Sequence, residues 1–199
     1  KQSLKTNIQK YFKNRKVFCA ASTHYNEEKI IGELHLKLKK KYKNLITILI
    51  PRHVNRSEEI KQELSKLKLS VTERSSKLKP SDDCDIYIVN TYGEMSKFLR
   101  LSKVTFVGGS MVNHGGQNPL EAIRTGNYVM HGKRIDNFKE IYKDLKSIKI
   151  SSEVRNVDEM KKVFLKNHNY KSSNSKLKKI NYLGNKIFES NIEEIKKYL

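Results

Sequence analysis

Short apolar, β-branched runs alternate with amphipathic segments along this chain, and that alternation restricts the fold more than any other feature. The runs are 17–21 (VFCAA), 45–50 (LITILI), 69–72 (LSVT), 85–89 (DIYIV), 104–108 (VTFVG), 127–130 (NYVM) and 148–151. Most are apolar throughout, as strands buried on both faces are. Between them the spacing predicts helices over 26–41, 57–67, 92–101, 119–125, 137–145, 156–168 and 176–198, the first with Ile30, Ile31, Leu34 and Leu38 on one stripe. Such βαβα order predicts an α/β, Rossmann-like parallel sheet with helices on both faces. At 199 residues the chain fits one large domain or two small ones. We see no repeat and no long linker, and read the polar 166–179 stretch as a loop before a terminal helix.

In open sheets of this kind, ligands bind beyond the carboxyl ends of the strands. Ser22, Thr23 and His24 follow the first run; they read as anion contacts or as an N-capping turn. Arg52 and His53 follow the second, where a guanidinium offers a planar donor fork for phosphate or carboxylate. Thr91, Tyr92, Gly93 and Glu94 follow the fourth. Thr91 and Glu94 have capping-box spacing, and Gly93 would let a ligand approach the backbone. The densest cluster runs from Gly108, Gly109 and Ser110 to His114, Gly115, Gly116, Gln117, Asn118, Pro119, Leu120 and Glu121. Its first glycine pair can form an anion nest, and its second precedes a helix start with Asn118 as N-cap. Free N–H groups there suit a single phosphate. Glu121 closes a capping box, accepts from sugar hydroxyls, or does both. Asn137, after Asp136, caps the next helix or lines the same crevice. The pattern is neither a Walker A loop nor G-x-G-x-x-G, and no Asp-x-Asp pair or metal-spaced His/Cys/Asp set stands at a strand end.

Charge bears on partners. Lys and Arg number 41 against 21 Asp and Glu, a formal net charge of +20. That excess fits an anionic membrane surface, nucleic acid, or plain Lys-rich composition. It is spread along the chain, and the ten Tyr and seven Phe do not interleave with it on one face, so no nucleic acid is expected. No run approaches the length of a membrane span, and the first residues lack a secretory h-region. Cys19 and Cys84 sit in apolar runs and read as buried free thiols in a reducing compartment.

The ordered set Ser22-Thr23-His24, Glu27-Glu28, Pro51-Arg52-His53, Thr91-Tyr92-Gly93-Glu94, Phe106 to Ser110, Gly115 to Ala122 and Asn137-Phe138 resembles the C-terminal half of 3-deoxy-D-manno-octulosonic acid (Kdo) transferases. The motifs cover roughly residues 15–145. Asn90, Gln117 and Lys133 depart from the usual pattern, which has Asp, His and part of a Gly-Pro pair there. The resemblance implies the nucleotide-sugar half of a two-domain, B-type glycosyltransferase, with residues 1–199 as one CMP-Kdo binding domain and the N-terminal acceptor domain absent. The family transfers Kdo from CMP-Kdo to lipid A precursor in Gram-negative lipopolysaccharide synthesis, at the cytoplasmic face of the inner membrane. Its catalytic base lies in the N-terminal half, so no catalytic residue is expected in this chain, and the fragment is expected to be soluble and inactive alone.

The implied transfer is inverting and needs no cofactor or metal, because one phosphate demands less of a divalent cation than a diphosphate. Fixed donors toward the departing CMP would be the backbone of Gly109 and Ser110, the helix start at Asn118 and the Arg52 guanidinium. Glu121 would hold the ribose, and Tyr92 and Gly93 would border the cytosine. The alternatives are a glycosyltransferase domain using another nucleotide sugar, a basic nucleic-acid-binding module, and a purely structural docking domain that leaves the glycine clusters unexplained.

Overall fold

The computed structural model describes residues 6–76 and 80–173. The terminal helix expected over 176–198 lies outside the described residues. The strands are β1 (Lys16–Thr23), β2 (Leu45–Pro51), β3 (Val71–Glu73), β4 (Ile86–Ile88), β5 (Val104–Val107), β6 (Tyr128–His131) and β7 (Ser151–Glu153). They form one sheet in the order β3-β4-β2-β1-β5-β6-β7, and every pairing is parallel. The helices are α1 (Thr6–Lys13), α2 (Glu27–Lys39), α3 (Ser57–Lys66), α4 (Met95–Leu99), α5 (Leu120–Arg124), α6 (Lys139–Ser147) and α7 (Val157–Asn167).

Side-chain alternation along the strands builds two cores, as the period of two requires. Val17, Cys19 and Ala21 of β1 face one layer with Ile46, Ile48, Tyr87, Phe98, Ile123 and Tyr142. Phe18 and Ala20 face the other, with Leu34, Leu38, Leu64, Met130 and Phe164. Helices therefore cover both faces, α1 and α4 to α6 on the first and α2, α3 and α7 on the second. Both cysteines are free and buried, and burial pushes the Cys19 thiol up to about 12.

α1 was not anticipated. Tyr11 and Phe12 carry it onto the sheet, where the Phe12 ring meets Tyr87 edge-on at 5.6 Å. One polar group crosses the second core: His35 of α2 bridges Thr47 of β2 (2.9 Å) and Asp85 before β4 (3.1 Å), and Lys39 also reaches Asp85. Burial works to raise the Asp85 carboxyl, but His35, Lys39 and the Ser70 N–H hold it below the usual carboxylate range.

Two boundaries differ from the sequence reading for one reason. The 148–151 run is no strand: α6 runs on to Ser147, Lys149 turns left-handed (φ 56°), and Ile150 packs back by donating its N–H to Leu145 O. β7 starts only at Ser151. After α3, Lys68 (φ 59°) makes the same ending, and β3 starts at Val71 rather than 69. Apolar residues beyond such a left-handed cap serve the helix end.

Candidate functional site

The predicted residues stand along one rim, at the carboxyl ends of β4, β2, β1 and β5 and, for Asn137, β6. β1 leaves the sheet through an irregularity between Ala21 and Thr23, where Ser22 is left-handed (φ 54°). Thr23 O accepts from Arg52 N–H (3.0 Å) and Ala21 O from Gly108 N–H (2.9 Å), which sews the three exits together. A Cβ on Gly108 would lie 2.3 Å from Ser22 O, so only glycine lets the turn after β5 pass so close to β1. Ser22 and Thr23 do not cap α2. Its N-cap is Asn26, left-handed and without a side-chain cap bond, and the fully buried Thr23 side chain faces the Glu28 carboxylate instead.

The expected anion nest is already filled. Glu27, fully buried at the start of α2, accepts from four backbone N–H groups: His24 (3.0 Å) and Gly109 (2.7 Å) on one oxygen, Ser110 (3.1 Å) and Met111 (3.0 Å) on the other. Burial raises its pKa, and the four donors oppose that. Every partner donates, which matches the carboxylate form. The Gly109 and Ser110 N–H groups therefore hold an internal acid instead of pointing at the open rim, which corrects the role expected of them. The Ser110 hydroxyl is engaged as well, donating to Val107 O and accepting from Gly132 N–H.

Around this braced turn stand His24, His53 and His114. His24 lies 3.9 Å from the His114 ring centroid and 6.0 Å from that of His53. Burial, then the charges of His114, His53, Arg52 and Arg56, lower its pKa to about 4. Neutral His24 accepts at Nε2 from the Gln117 side-chain amide (3.1 Å). The Arg52 and His53 side chains are exposed beside it, and Arg52 pairs with no acid among the described residues.

The β5–α5 loop folds back by a bond from Gly116 N–H to Gly109 O (2.8 Å). Asn118 is not the N-cap of α5, which is Pro119 without a side-chain cap bond, so Glu121 closes no capping box there; the Asn118 carboxamide oxygen instead braces the turn before the helix by accepting from Leu120 N–H (2.9 Å). α5 itself is five residues long, so its dipole contributes less than a full helix would. Asn137 does not cap α6, whose N-cap is Phe138; its Nδ2 donates to His114 O (3.1 Å), tying the β6–α6 loop to the β5–α5 loop.

Glu94 is not the closing member of a capping box, because α4 starts after it, at Met95. The Arg74 guanidinium grips it with two bonds (2.9 and 3.1 Å) and Thr91 adds a third (2.8 Å). Arg74 chiefly holds the Glu94 pKa at about 2. Tyr92 (81% exposed) and Gly93 (φ 74°) form an open face beside this pair. Glu121 accepts from Ser96 Oγ of α4. The sequence reading missed Arg74, Ser96 and the bracing by Glu27, all of which act across distant segments; His114 and Gln117 lay inside the quoted glycine cluster. A separate cavity of about 750 Å³, lined by Lys10, Arg15 and Lys43 among others, sits at the amino ends of the strands, away from this chemistry.

No family model matches the chain. It is 38% identical over 132 residues to the 3-deoxy-D-manno-octulosonic acid transferase of Haemophilus influenzae, covering 66% of this chain and 31% of that protein. The transferase of Rickettsia bellii is 33% identical over 153 residues, covering 77% and 36%. The solved C-terminal CMP-Kdo binding domain of WaaA from Acinetobacter baumannii superposes with a TM-score of 0.75 at 28% identity, over 80% of this chain and 84% of that one. The chain is a relative of the Kdo transferases. It spans about a third of the length of the curated relatives it matches. Its fold is that of the C-terminal half of a two-domain, B-type glycosyltransferase, as the motifs implied. Among the described residues of this Kdo-transferase relative, no helix is long and apolar enough to cross a membrane.

Proposed function

We propose that this chain is the donor-binding half of a Kdo transferase, holding CMP-Kdo on the rim between the β4 and β5 exits. One observation carries the reading: Arg52, neutral His24, the Gln117–Asn118 loop and Glu121 occupy one end of a parallel sheet in a relative of a CMP-Kdo binding domain. A single phosphate needs a few fixed donors, and Arg52 with the Gln117 and Asn118 backbone supplies them. The Glu27 brace keeps the Gly108–Ser110 turn in place beneath them. Ser96 occupies Glu121 Oε1 and leaves Oε2 for ribose hydroxyls. The open Tyr92–Gly93 face borders the base.

The remaining chemistry belongs to an N-terminal acceptor half, whose carboxylate base would activate a hydroxyl of lipid A precursor at the cytoplasmic face of the inner membrane. Attack on the face opposite the phosphate inverts the anomeric centre. As cleavage proceeds, negative charge grows on the CMP phosphate, where Arg52 stabilises it. The phosphate's low charge lets this run without a resident cation.

A thermal-shift series with CMP, UMP and UDP tests the reading, since a ligand that binds only the folded state raises its melting temperature. CMP is expected to stabilise the chain more than UMP or UDP. A larger shift with UDP would transfer the assignment to another nucleotide sugar.

A further inference from the structure

A second cavity, of about 400 Å³, opens at the carboxyl ends of β5, β6 and β7, on the far side of the Gly108–Ser110 turn from His24 and Arg52. Its frame is backbone. Gly132 N–H donates to Ser110 Oγ (2.8 Å), Arg134 N–H to Ser110 O (2.9 Å) and Val154 N–H to His131 O (2.8 Å). A Cβ at Gly132 would lie 2.2 Å from Ser110 O, so glycine is required for this closure. From the frame project Lys133, Arg134 and Arg155, against a single acid, Asp136.

These cations are poorly neutralised. Lys133 makes no ion pair among the described residues. Arg134 donates to the neutral Asn113 carboxamide (2.8 Å). The Arg155 guanidinium pairs with the exposed Glu153 at 3.8 Å, a pair that contributes little, and Glu159 accepts from the Arg155 backbone N–H (2.9 Å). Three cations on a fixed frame around a concave space make a field that concentrates anions, and two guanidiniums offer planar forks to an oxyanion.

We propose that this cavity is a second oxyanion pocket, taking a carboxylate or a phosphate monoester alongside the nucleotide. Its volume admits a sugar acid as readily as a bare ion. The carboxylate would come from the transferred sugar acid, the phosphate from a phosphorylated acceptor. The pocket shares no ligand-facing side chain with the nucleotide rim, so its failure and that of the CMP reading are separable.

Amide NMR of the full chain tests this, titrating free Kdo and, separately, inorganic phosphate, with CMP as a parallel titration. Saturable shifts at 132–136 and 154–156 are expected from at least one. Saturation by Kdo identifies the carboxylate source, and saturation by phosphate the phosphate source. The K133A/R155A double variant should weaken that binding at least about tenfold, the low end for one charge-assisted hydrogen bond, and leave CMP shifts at 117–121 unchanged. Asp136→Asn should tighten it. The proposal is overturned if neither titration saturates, if the shifts coincide with those of CMP and vanish when CMP is present, or if the double variant binds as the parent does.

Discussion

Replacing Glu27 by Gln changes one oxygen into an amide nitrogen and should strip two of four backbone N–H groups of their acceptor. Because all four partners donate, at distances of 2.7 to 3.1 Å, no rotation of the amide restores the match. A hydrogen bond to a charged group contributes about 1.5–3 kcal/mol, so two lost bonds cost about 3–6 kcal/mol. In a chain of this size that lowers the melting temperature by on the order of 10 °C. Glu28 is the built-in control. It is equally buried, but its one charged donor is the Arg56 guanidinium (3.1 Å), which keeps Glu59 when Glu28 loses its charge. Glu28→Gln weakens one charge-assisted bond rather than two and should cost about 1.5–3 kcal/mol, roughly half as much. Thermal and denaturant unfolding of both variants gives the comparison, and amide shifts of Gly109, Ser110 and Met111 report whether the turn moved. A Glu27→Gln protein melting within a degree or two of the parent, or a Glu28→Gln protein losing as much, would refute the bracing argument.

Glu94 gives a pH signature. Its folded pKa of about 2 lies below the ordinary unfolded value, so its contribution is fully present above the unfolded pKa and disappears as pH falls toward 2. The stability gap between parent and Glu94→Gln, on the order of 2–3 kcal/mol at neutral pH, should shrink across that window; a gap independent of pH contradicts the Arg74 pairing. Gly108→Ala forces a methyl against Ser22 O and Thr23 Cα and should destabilise by several kcal/mol in urea unfolding, roughly the cost of overpacking that backbone cannot relieve. Glu121→Ala should weaken CMP binding by about 1–3 kcal/mol in calorimetry, the cost of an unmet buried hydrogen bond; a loss confined to melting temperature would leave Glu121 as a brace for Ser96. The chain alone, given CMP-Kdo and a lipid A precursor, should form no product, and measurable transfer would reverse the division of labour proposed above.

The layers were legible because the strands carry them: a run such as LITILI, apolar at nearly every position, fits only a strand covered on both sides, and its residues are buried throughout. α1 escaped because its few apolar residues sit in a Lys-rich stretch and become a helix face only once Tyr87 and Phe98 are there to receive Phe12. At the rim, positions were readable and partners were not. Thr91 and Glu94 have the spacing of a capping box, yet an arginine twenty residues upstream outbids the backbone for the carboxylate. A glycine pair after a strand reads as an empty nest, yet an acid 82 residues away fills it. Local spacing states what a group can do; the fold decides which competitor reaches it first.

The most direct measurement is a crystal of this chain soaked in CMP. The account predicts the phosphate beside Arg52 and the Gln117–Asn118 backbone, with the ribose on Glu121. CMP seated instead among Lys10, Arg15 and Lys43 at the opposite end of the sheet, or absent from the rim at saturating concentration, would contradict it.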